Sequence, residues 1–446
     1  MTKRTEERGE RKNREKDEKT EKMKKILGEQ EYVKRSLEKE IQKYINSPEI
    51  LAIVGPRQAG KTTLLYKIHT ELKNSNFISF EDREKLNLFE EDEKEFAEIH
   101  LKDHNYLLID EFQYAEEGGK KLKYLYDTYP DKKILITGSS TANMTVKGLK
   151  HLTGRVLRFK LHPFSFKEFL RYKNKKLHNL YTKKGKQIKK WIKKGKKPEV
   201  SKTILTKLER LRKEYIIYGG YPRVALSDSK EKKKKILDNI VDTYLIKEIK
   251  DVLGISEDKE IEKLMKILAL QMGDKTNYNT VREKTGLHHT KLKKRLNILE
   301  HTFILKQVNP FYTNKQKEIV KSPKIYFYDN GFRNSLLNSF QKPELRDDHG
   351  KLNENFLFTQ AKRELKYWRT KSKAEVDFII EKNTSNPIPL EVKTTPNITK
   401  SFRSFQEKYQ PEKAFIMNEK ELKKEEKTFL IPLIFSEQVI DQIEEQ

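Results

Sequence analysis

A glycine-rich segment near residue 60 has the residue types and spacing that bind phosphate. Gly55 is followed by four residues and then by Gly60, Lys61 and Thr62, which is the phosphate-loop pattern. Glycines let successive backbone N–H groups point at phosphates, and a following helix adds the positive end of its dipole. We therefore predict an ATP site in which Lys61 bridges the β- and γ-phosphates and the Thr62 hydroxyl binds Mg²⁺. The residues predicted to contact the nucleotide here are Gly55, Pro56, Arg57, Gln58, Ala59, Gly60, Lys61, Thr62 and Thr63.

Two carboxylates follow an apolar segment further along the chain. Tyr106–Ile109 has the composition of a buried strand, and Asp110 and Glu111 come directly after it. We predict that Asp110 belongs to the nucleotide site and holds Mg²⁺, while Glu111 polarises the attacking water. An acidic strand end that meets solvent is the alternative, and the phosphate loop upstream argues against it.

Small hydroxyl residues and arginines follow the next strand candidate. Ser139 and Ser140 end the segment that begins at Ile134, and Ser139 is predicted to contact the γ-phosphate, although serines are also common turn residues. Arg155 is predicted to stabilise the charge that develops on the γ-phosphate, in its own subunit or in a neighbouring one. A simple surface charge, for Arg155 as for the nearby Arg158, is the open alternative.

A second acidic constellation lies near the C-terminus. Asp377 stands fourteen residues before Glu391, and Lys393 follows on the same side of the same predicted strand. Carboxylates on adjacent strands would bind Mg²⁺, with Glu354 from a preceding helix completing the metal ligands. Asp377, Glu391 and Lys393 are then the predicted catalytic residues of a metal-dependent nuclease. A fold retained without cleavage and an exposed ion pair are the alternatives.

The elements that must position the first site alternate between strand-like and helix-like patterns. This order argues for a parallel sheet covered by helices on both faces. The predicted elements are a helix at Thr62–Leu72 and strands at Ile50–Val54, Phe77–Phe80, Tyr106–Ile109 and Ile134–Thr137.

The middle of the chain shows a different pattern of short helices followed by strands. Helix, turn, basic helix and hairpin is the order of a winged helix, whose third helix enters the DNA major groove. The same architecture also packs domains together, so DNA contact is one of two interpretations. The predicted helices are Asp258–Met272, Thr280–Lys284 and His288–His301, and the predicted wing strands are Phe303–Val308 and Lys324–Phe327. On the third helix, leucines are expected inward and a basic cluster outward, namely Lys291, Lys293, Lys294 and Arg295.

The overall charge favours a polyanionic partner. The 446 residues carry 95 Lys and Arg against 67 Asp and Glu, a net charge of +28, which favours nucleic acid over mere solubility. Residues 171–215 concentrate this excess, either as a helical insertion with a basic surface or as a partly disordered linker.

The composition also excludes some classes of protein. There is no cysteine, which excludes disulfides and thiolate metal sites. No apolar stretch reaches the ~20 residues of a membrane span, and residues 1–25 lack the apolar segment of a signal peptide. We therefore expect a cytoplasmic protein without membrane contact.

Several motifs in a fixed order resemble those of archaeal and bacterial P-loop ATPases related to the AAA+ and STAND groups, which carry a DUF4143-type, restriction-endonuclease-like C-terminal region. The motifs are GPRQAGKTTLL, LLIDEFQ, ILITGSS, HPFSFKEF, YGGYPRV, GKLNENF, EVDFII and PLEVK. The resemblance implies that the Gly-Gly-x-Pro element closes a helical subdomain over the nucleotide, which would put Pro222 and Arg223 at the ATP site. The basic stretch at 171–215 departs from the family pattern and leaves that placement open.

The expected fold class is α/β, with a P-loop NTPase parallel sheet and helical subdomain, then a winged helix, then a small α/β restriction-endonuclease-like domain. We expect an ATPase that uses ATP and Mg²⁺ and acts on DNA, and a homo-oligomer would suit an arginine acting between subunits. The alternatives are a STAND-like signalling or regulatory ATPase whose C-terminal domain binds protein partners without cutting, and a purely ATP-dependent DNA-binding module. The expected segments are a charged disordered or helical N-terminus (1–29), the ATPase core (30–170), a basic helical insertion and helical subdomain (171–250), the winged helix (251–340) and the nuclease-like domain (341–446).

Overall fold

The computed structural model describes residues 31–139, 152–243 and 258–445, with gaps at 315, 317, 319–320, 362 and 382–385, together with residues 21 and 23. Ser140, most of the charged N-terminal segment and the predicted boundary at residue 250 lie outside this part of the chain. Contacts divide the chain into two compact units, Met1–His162 and Pro163–Gln446. None of the helices in the described residues is long and apolar enough to cross a membrane.

The first unit contains a sheet of five parallel strands in the order β2–β3–β4–β1–β5. The strands are β1 (Ile50–Val54), β2 (Ser75–Ser79), β3 (Tyr106–Asp110), β4 (Lys133–Gly138) and β5 (Val156–Lys160). The parallel sheet predicted from the alternating pattern is confirmed. The sequence pattern does not predict β5, because it is an edge strand in which Arg158 and Lys160 interrupt the apolar residues.

The pairing of the strands in this unit determines which loops lie at the same edge of the sheet. All five residues of β1 are buried, as expected for a parallel strand covered on both faces. Val54 pairs with Gly138, and Ile109 pairs with Ile136, so the loops after β1, β3 and β4 leave the sheet at the same edge. The helices of the unit are α1 (Leu37–Lys43), α2 (Lys61–Glu71), α3 (Arg83–Glu91), α4 (Glu93–His100) and α5 (Gly118–Thr128).

The second unit begins with a helical segment that includes the basic stretch. Within α7, the Tyr181 ring stacks on Phe435 at 5.6 Å and Trp191 meets Phe429 at 5.0 Å. Residues 175–193 are therefore an ordered helical insertion rather than a linker. The helices of this segment are α6 (Phe166–Lys173), α7 (Lys175–Lys193), α8 (Lys202–Tyr218), α9 (Pro222–Ala225) and α10 (Lys230–Thr243).

Three helices and an antiparallel hairpin follow, and we call residues 258–327 the helix–hairpin region. Leu305 pairs with Phe327 across the hairpin, and Val308 pairs with Lys324. The order of elements is the one predicted from the sequence. The elements are α11 (Asp258–Leu270), α12 (Tyr278–Thr285), α13 (His289–His301), β6 (Leu305–Val308) and β7 (Lys324–Phe327).

The C-terminal part contains a six-stranded mixed sheet in the order β12–β13–β11–β10–β9–β8. Strand β10 runs antiparallel to β9 and parallel to β11, so the two strands with the predicted acidic residues are direct neighbours. The strands are β8 (Lys366–Arg369), β9 (Glu375–Glu381), β10 (Pro387–Val392), β11 (Ala414–Asn418), β12 (Lys423–Glu425) and β13 (Thr428–Pro432). The helices are α14 (Asn330–Leu336), α15 (His349–Gln360), α16 (Lys400–Tyr409) and α17 (Ser436–Glu444).

Candidate functional site

The phosphate loop connects β1 to α2, between a strand and a helix as predicted. Gly60, the residue before α2, has a φ of 92° in the left-handed region that favours glycine. A Cβ atom at Gly55 would lie 2.0 Å from the carbonyl oxygen of Leu161, so a larger residue would displace the chain after β5. Glycine is therefore needed at both ends of the loop. Among the other predicted loop residues, Pro56 and Ala59 are buried, and Arg57, Gln58 and Thr63 are partly exposed.

Arg35 supports this loop, although no sequence pattern singled it out. Its Nη1 donates to the carbonyl oxygen of Ala59 at 2.8 Å, and its Nη2 donates to that of His162 at 2.6 Å. The residue is only 5% exposed. It lies in an irregular segment just before α1 within a charge-rich stretch, so the sequence gave no signal for its role.

Lys61 and Thr62 occupy the first turn of α2. The Lys61 ammonium donates to the carbonyl oxygens of Gly55 and Pro56 at 3.0 and 2.9 Å. These bonds hold the side chain along its own loop, with only 4% of the residue exposed. The Thr62 hydroxyl hydrogen-bonds to Asp110 at the end of β3. The two predicted magnesium ligands of this site are therefore in contact.

Asp110 is buried at the end of β3, where its carboxylate accepts a hydrogen bond from the Thr137 hydroxyl. Burial raises the pKa of Asp110, while the bonds from Thr137 and Thr62 and the charge of Lys61 act in the opposite direction. Hydroxyl and carboxylate oxygens are the ligands that Mg²⁺ prefers. The paired oxygens of Thr62 and Asp110 thus fit a magnesium ion at the edge of the sheet.

Glu111 is held by two contacts that the sequence did not predict. Its backbone has a φ of 54°, and its N–H donates to the Thr137 hydroxyl oxygen at 3.1 Å. The Gln113 side-chain amide donates to the Glu111 carboxylate, and its oxygen accepts from the Ser139 N–H at 3.3 Å. Gln113 therefore links the predicted base to the end of β4, where Ser139 is buried.

Arg155 lies away from the phosphate loop of its own chain. It precedes β5, where Val156 pairs with Ile50 at the amino end of β1, and its Nε donates to Asp127 at 3.1 Å. The phosphate loop leaves the opposite, carboxyl end of β1. The expected role in its own subunit does not fit this position, because β5 places Arg155 at the opposite edge of the sheet. Only an action on the nucleotide of a neighbouring subunit stays a prediction.

Pro222 is the first residue of α9, and the glycines before it make a close joint within the second unit. The Gly220 N–H donates to Asp329 Oδ2 at 2.7 Å. A Cβ atom at Gly219, where φ is 76°, would lie 2.0 Å from Asp329 Oδ1. The absence of side chains at Gly219 and Gly220 thus leaves room for the buried carboxylate of Asp329, which follows β7. Contact of Pro222 or Arg223 with the nucleotide stays a prediction.

The four residues of the predicted nuclease-like site form one cluster. The Asp377 N–H donates to Glu391 Oε2 at 3.3 Å, and the Val392 N–H donates to Asp377 Oδ2 at 2.8 Å. Lys393 Nζ lies 2.9 Å from Glu391 Oε1. Burial and the charge of Asp377 raise the pKa of Glu354 to about 7 and that of Glu391 to about 8. We call Glu354, Asp377 and Glu391 the acidic cluster.

Two side chains from β7 also contact carboxylates in this cluster or beside it, and the sequence gave no sign of them. The Tyr326 hydroxyl donates to Glu354 Oε2 at 2.8 Å. Lys324 Nζ lies 2.5 Å from Glu375 Oε1, and its side chain is 2% exposed. Burial lowers the pKa of Lys324, but the charges of Glu354, Asp377 and Glu375 outweigh it and raise that pKa above its usual value.

Metal ligation by the acidic cluster is not supported by this geometry. Within the described residues, no group of three acidic or histidine side chains is arranged to hold a metal ion. The Asp377 and Glu391 carboxylates instead accept backbone N–H groups and lie near two ammonium groups, those of Lys324 and Lys393. Their assignment as metal ligands stays a prediction from sequence.

Helix α13 presents most of the predicted basic cluster to solvent, with one exception. Lys293 and Lys294 are exposed, while Lys291 is exposed but pairs with Glu260 at 2.8 Å. Arg295 was expected outward and is instead 1% exposed and ion-paired with Glu260. That expectation is wrong, because Glu260 of α11 supplies a charge that allows an arginine on the inner face. Leu292, Leu296 and Leu299 are buried as predicted.

Comparisons with known proteins agree with the phosphate-loop geometry. Residues 47–170 match the model of an AAA domain. Residues 209–342 and 349–434 match two domains of unknown function, DUF8612 and DUF4143. An uncharacterised protein of Methanocaldococcus jannaschii is 28% identical over 372 residues, which cover 80% of this chain and 78% of that protein. One of Haemophilus influenzae is 24% identical over 305 residues, covering 64% and 68%.

The Walker-type ATPase of Pyrococcus abyssi is similar with a TM-score of 0.45 and 14% identity, and the match covers 69% of this chain and 96% of that one. The AAA match and the phosphate loop together place residues 47–170 in the class of P-loop NTPase domains. Residues 349–434 are similar to the DUF4143 domain.

Proposed function

We propose that this ATPase hydrolyses ATP with Glu111 as the general base and contacts DNA through the exposed face of helix α13. The observation that carries the first part is the anchoring of Glu111. Its backbone is bound to Thr137 and its carboxylate to Gln113, directly after the residue that hydrogen-bonds to Thr62. A base held at a fixed position beside the phosphate loop is what general-base catalysis requires.

The division of roles follows from the groups in the site. The N–H groups of the loop and the Lys61 ammonium bind the phosphates, while Thr62 and Asp110 would hold the magnesium ion. When bound, that ion supplies charge neutralisation on the β- and γ-phosphate oxygens. Glu111 accepts a proton from the attacking water, and Gln113 keeps its carboxylate oriented.

The Glu111→Gln variant tests the hydrolytic role. We expect ATP binding to be retained while turnover falls by roughly 10²–10⁴, because the amide keeps the shape of the side chain but cannot accept the proton. Glu117→Gln is the matched control, since Glu117 is an exposed carboxylate that pairs with Lys120 after the same strand. Undiminished hydrolysis by Glu111→Gln would remove Glu111 from the base role.

The two faces of helix α13 differ in burial and charge, and this difference supports the proposal of DNA contact. Its leucines are buried, whereas Lys293 and Lys294 are exposed next to an antiparallel hairpin. This is the distribution of a winged-helix recognition helix, in a chain whose net charge of +28 attracts phosphates at long range.

The salt dependence of DNA binding measures these contacts. Replacing Lys293 and Lys294 together by Ala should weaken binding to any duplex and reduce the slope of log K against log salt by about two. The control replaces Lys232 and Lys235, two exposed lysines of α10, and should leave that slope nearly unchanged. Absent or salt-insensitive binding by the unaltered protein would refute DNA contact.

The second candidate is a signalling or regulatory ATPase whose C-terminal domain binds partners without cutting. The ammonium of Lys324 among the carboxylates favours this candidate over a metal-dependent nuclease. DNA that changes neither ATP turnover nor protein stability would support it. Cleavage by Asp377, Glu391 and Lys393 stays a prediction, and nicking of DNA in Mn²⁺ that is lost in Asp377→Ala would establish it.

A further inference from the structure

Strand β7 of the hairpin brings a tyrosine to the acidic cluster and a lysine to Glu375 beside it. Side chains alternate along a strand, so Lys324 and Tyr326 lie on the same face of β7. Lys324 reaches Glu375 and Tyr326 reaches Glu354. The lysine Nζ also lies 5.4 Å from the centre of the Tyr367 ring. The hairpin thus contributes both a positive charge and a hydrogen-bond donor to a group of carboxylates on other elements.

The hairpin is fixed in this position by hydrogen bonds of its own. The Phe327 N–H donates to Asn355 Oδ1 at 2.8 Å, and Asn355 Nδ2 donates to the Phe327 carbonyl oxygen at 3.0 Å. The Tyr367 hydroxyl donates to the carbonyl oxygen of Ser322, just before β7, at 2.7 Å. These bonds hold the backbone on both sides of Lys324, whose side chain is 2% exposed and paired with Glu375.

Three cationic side chains offset most of the carboxylate charge around Lys324 without an added ion. The Lys324 ammonium pairs with Glu375 and acts electrostatically on Glu354 and Asp377. Arg369 also pairs with Glu375, and the Lys393 ammonium pairs with Glu391. A divalent cation entering this space would meet an ammonium and carboxylate oxygens that already accept backbone N–H groups. Like charges at such range disfavour each other strongly in a buried site.

We propose that Lys324 is the internal counter-ion of the acidic cluster, and that this cluster is an ionic joint between the hairpin and the C-terminal sheet rather than a divalent-metal centre. The inference is independent of the proposed ATPase chemistry. It gives the Asp377 and Glu391 constellation a structural role and ties the position of the helix–hairpin region to the C-terminal sheet.

The effect of Mn²⁺ on the melting temperature, measured without nucleotide, tests whether the acidic cluster binds a divalent metal ion. The unaltered protein and its Asp377→Asn variant should show melting temperatures that do not rise with Mn²⁺. Lys324→Met removes the ammonium and leaves the carboxylates, so we expect a lower melting temperature in chelator and a gain on adding Mn²⁺. That gain should be roughly 2 °C at a Mn²⁺ concentration about ten times the dissociation constant.

Lys351→Met is the matched control, because Lys351 pairs with Asp274 at the surface of the same unit. It should show neither the loss nor the gain. A rise in the melting temperature of the unaltered protein with Mn²⁺ that disappears in Asp377→Asn would overturn the proposal. This second comparison retains Lys324, so it decides the question even if Lys324→Met does not fold.

Discussion

Two nearly buried lysines near carboxylates, Lys61 and Lys324, behave differently in this molecule. Lys61 donates to carbonyl oxygens of its own loop, which carry no net charge and which a triphosphate can displace. Lys324 instead pairs with Glu375 and faces Glu354 and Asp377. We therefore propose that the same residue types form a site for an anionic ligand in one place and a charge-compensated joint in the other. The acceptors that the fold supplies decide between these outcomes.

A buried carboxylate, Asp329, shows a third way in which this molecule compensates charge. Asp329 is a buried carboxylate that accepts from the N–H groups of Gly220 and Phe332 at 2.7 and 2.8 Å. Backbone amides thus bind an internal anion at this joint, as the phosphate loop is proposed to bind an external one. An anion held by amides and one held by ammonium should respond differently to mutation and pH.

The largest expected effect is the loss of stability in Lys324→Met. Removing one partner of a buried ion pair leaves uncompensated charge, so the free energy of unfolding should fall by about 3–5 kcal/mol. Urea denaturation measures this change. The surface pair of Lys351 should contribute less than about 1 kcal/mol by the same measurement, and equal effects of the two substitutions would show that Lys324 is not a counter-ion.

Lys61→Met should have the next largest effect, on chemistry rather than on folding. Without the ammonium, charge on the phosphates loses a preorganised donor, so ATP turnover should fall by roughly 10²–10³. The stability without nucleotide should change little, in contrast to Lys324→Met. Lys67→Met, on the same helix and paired with Glu71 at the surface, is the control. Turnover near normal in Lys61→Met would contradict the assignment.

A smaller effect is expected at Gln113, whose side-chain amide donates to the Glu111 carboxylate. We expect Gln113→Ala to reduce kcat about tenfold, because one charge-assisted hydrogen bond is lost. The dissociation constant for ATP, measured with a fluorescent analogue, should stay unchanged. An altered affinity with normal kcat would show that Gln113 contacts the nucleotide instead.

The last prediction concerns the pH dependence of stability and the amide-bound carboxylate of Asp329. Burial raises the pKa of Asp329 to about 6 from 3.8, against the hydrogen bonds from backbone N–H groups. The folded protein therefore binds the extra proton between these values, and stability should fall as pH rises through this window, by at most about 1.4 kcal/mol per pH unit. In Asp329→Asn this part of the pH dependence should disappear. An unchanged profile would show that Asp329 does not titrate there.

Local patterns predicted much of the fold. The loop from Gly55 to Thr62, the apolar strand before Asp110 and the leucines of α13 were found because their spacing reflects the backbone period. The cluster of Asp377, Glu391 and Lys393 was predicted from two adjacent strands, and its members do meet. Each of these features depends on short stretches of sequence.

Contacts between distant segments could not be predicted in the same way. Arg35 reaches His162, and Lys324 reaches Glu375, across separations that no periodicity encodes. The outward position expected for Arg295 rests on the basic cluster of its own helix, whereas its partner Glu260 lies on another helix. The position of Arg155 depends on the edge strand β5, whose interrupted apolar pattern does not predict a strand.

Counting Mn²⁺ bound per chain, with and without ATP, tests the contrast between the two lysines most directly. The account predicts one ion per chain that requires nucleotide, disappears in Lys61→Met and persists in Asp377→Asn. An ion that binds without nucleotide and is lost in Asp377→Asn would show that the acidic cluster is a metal centre, and would contradict the account.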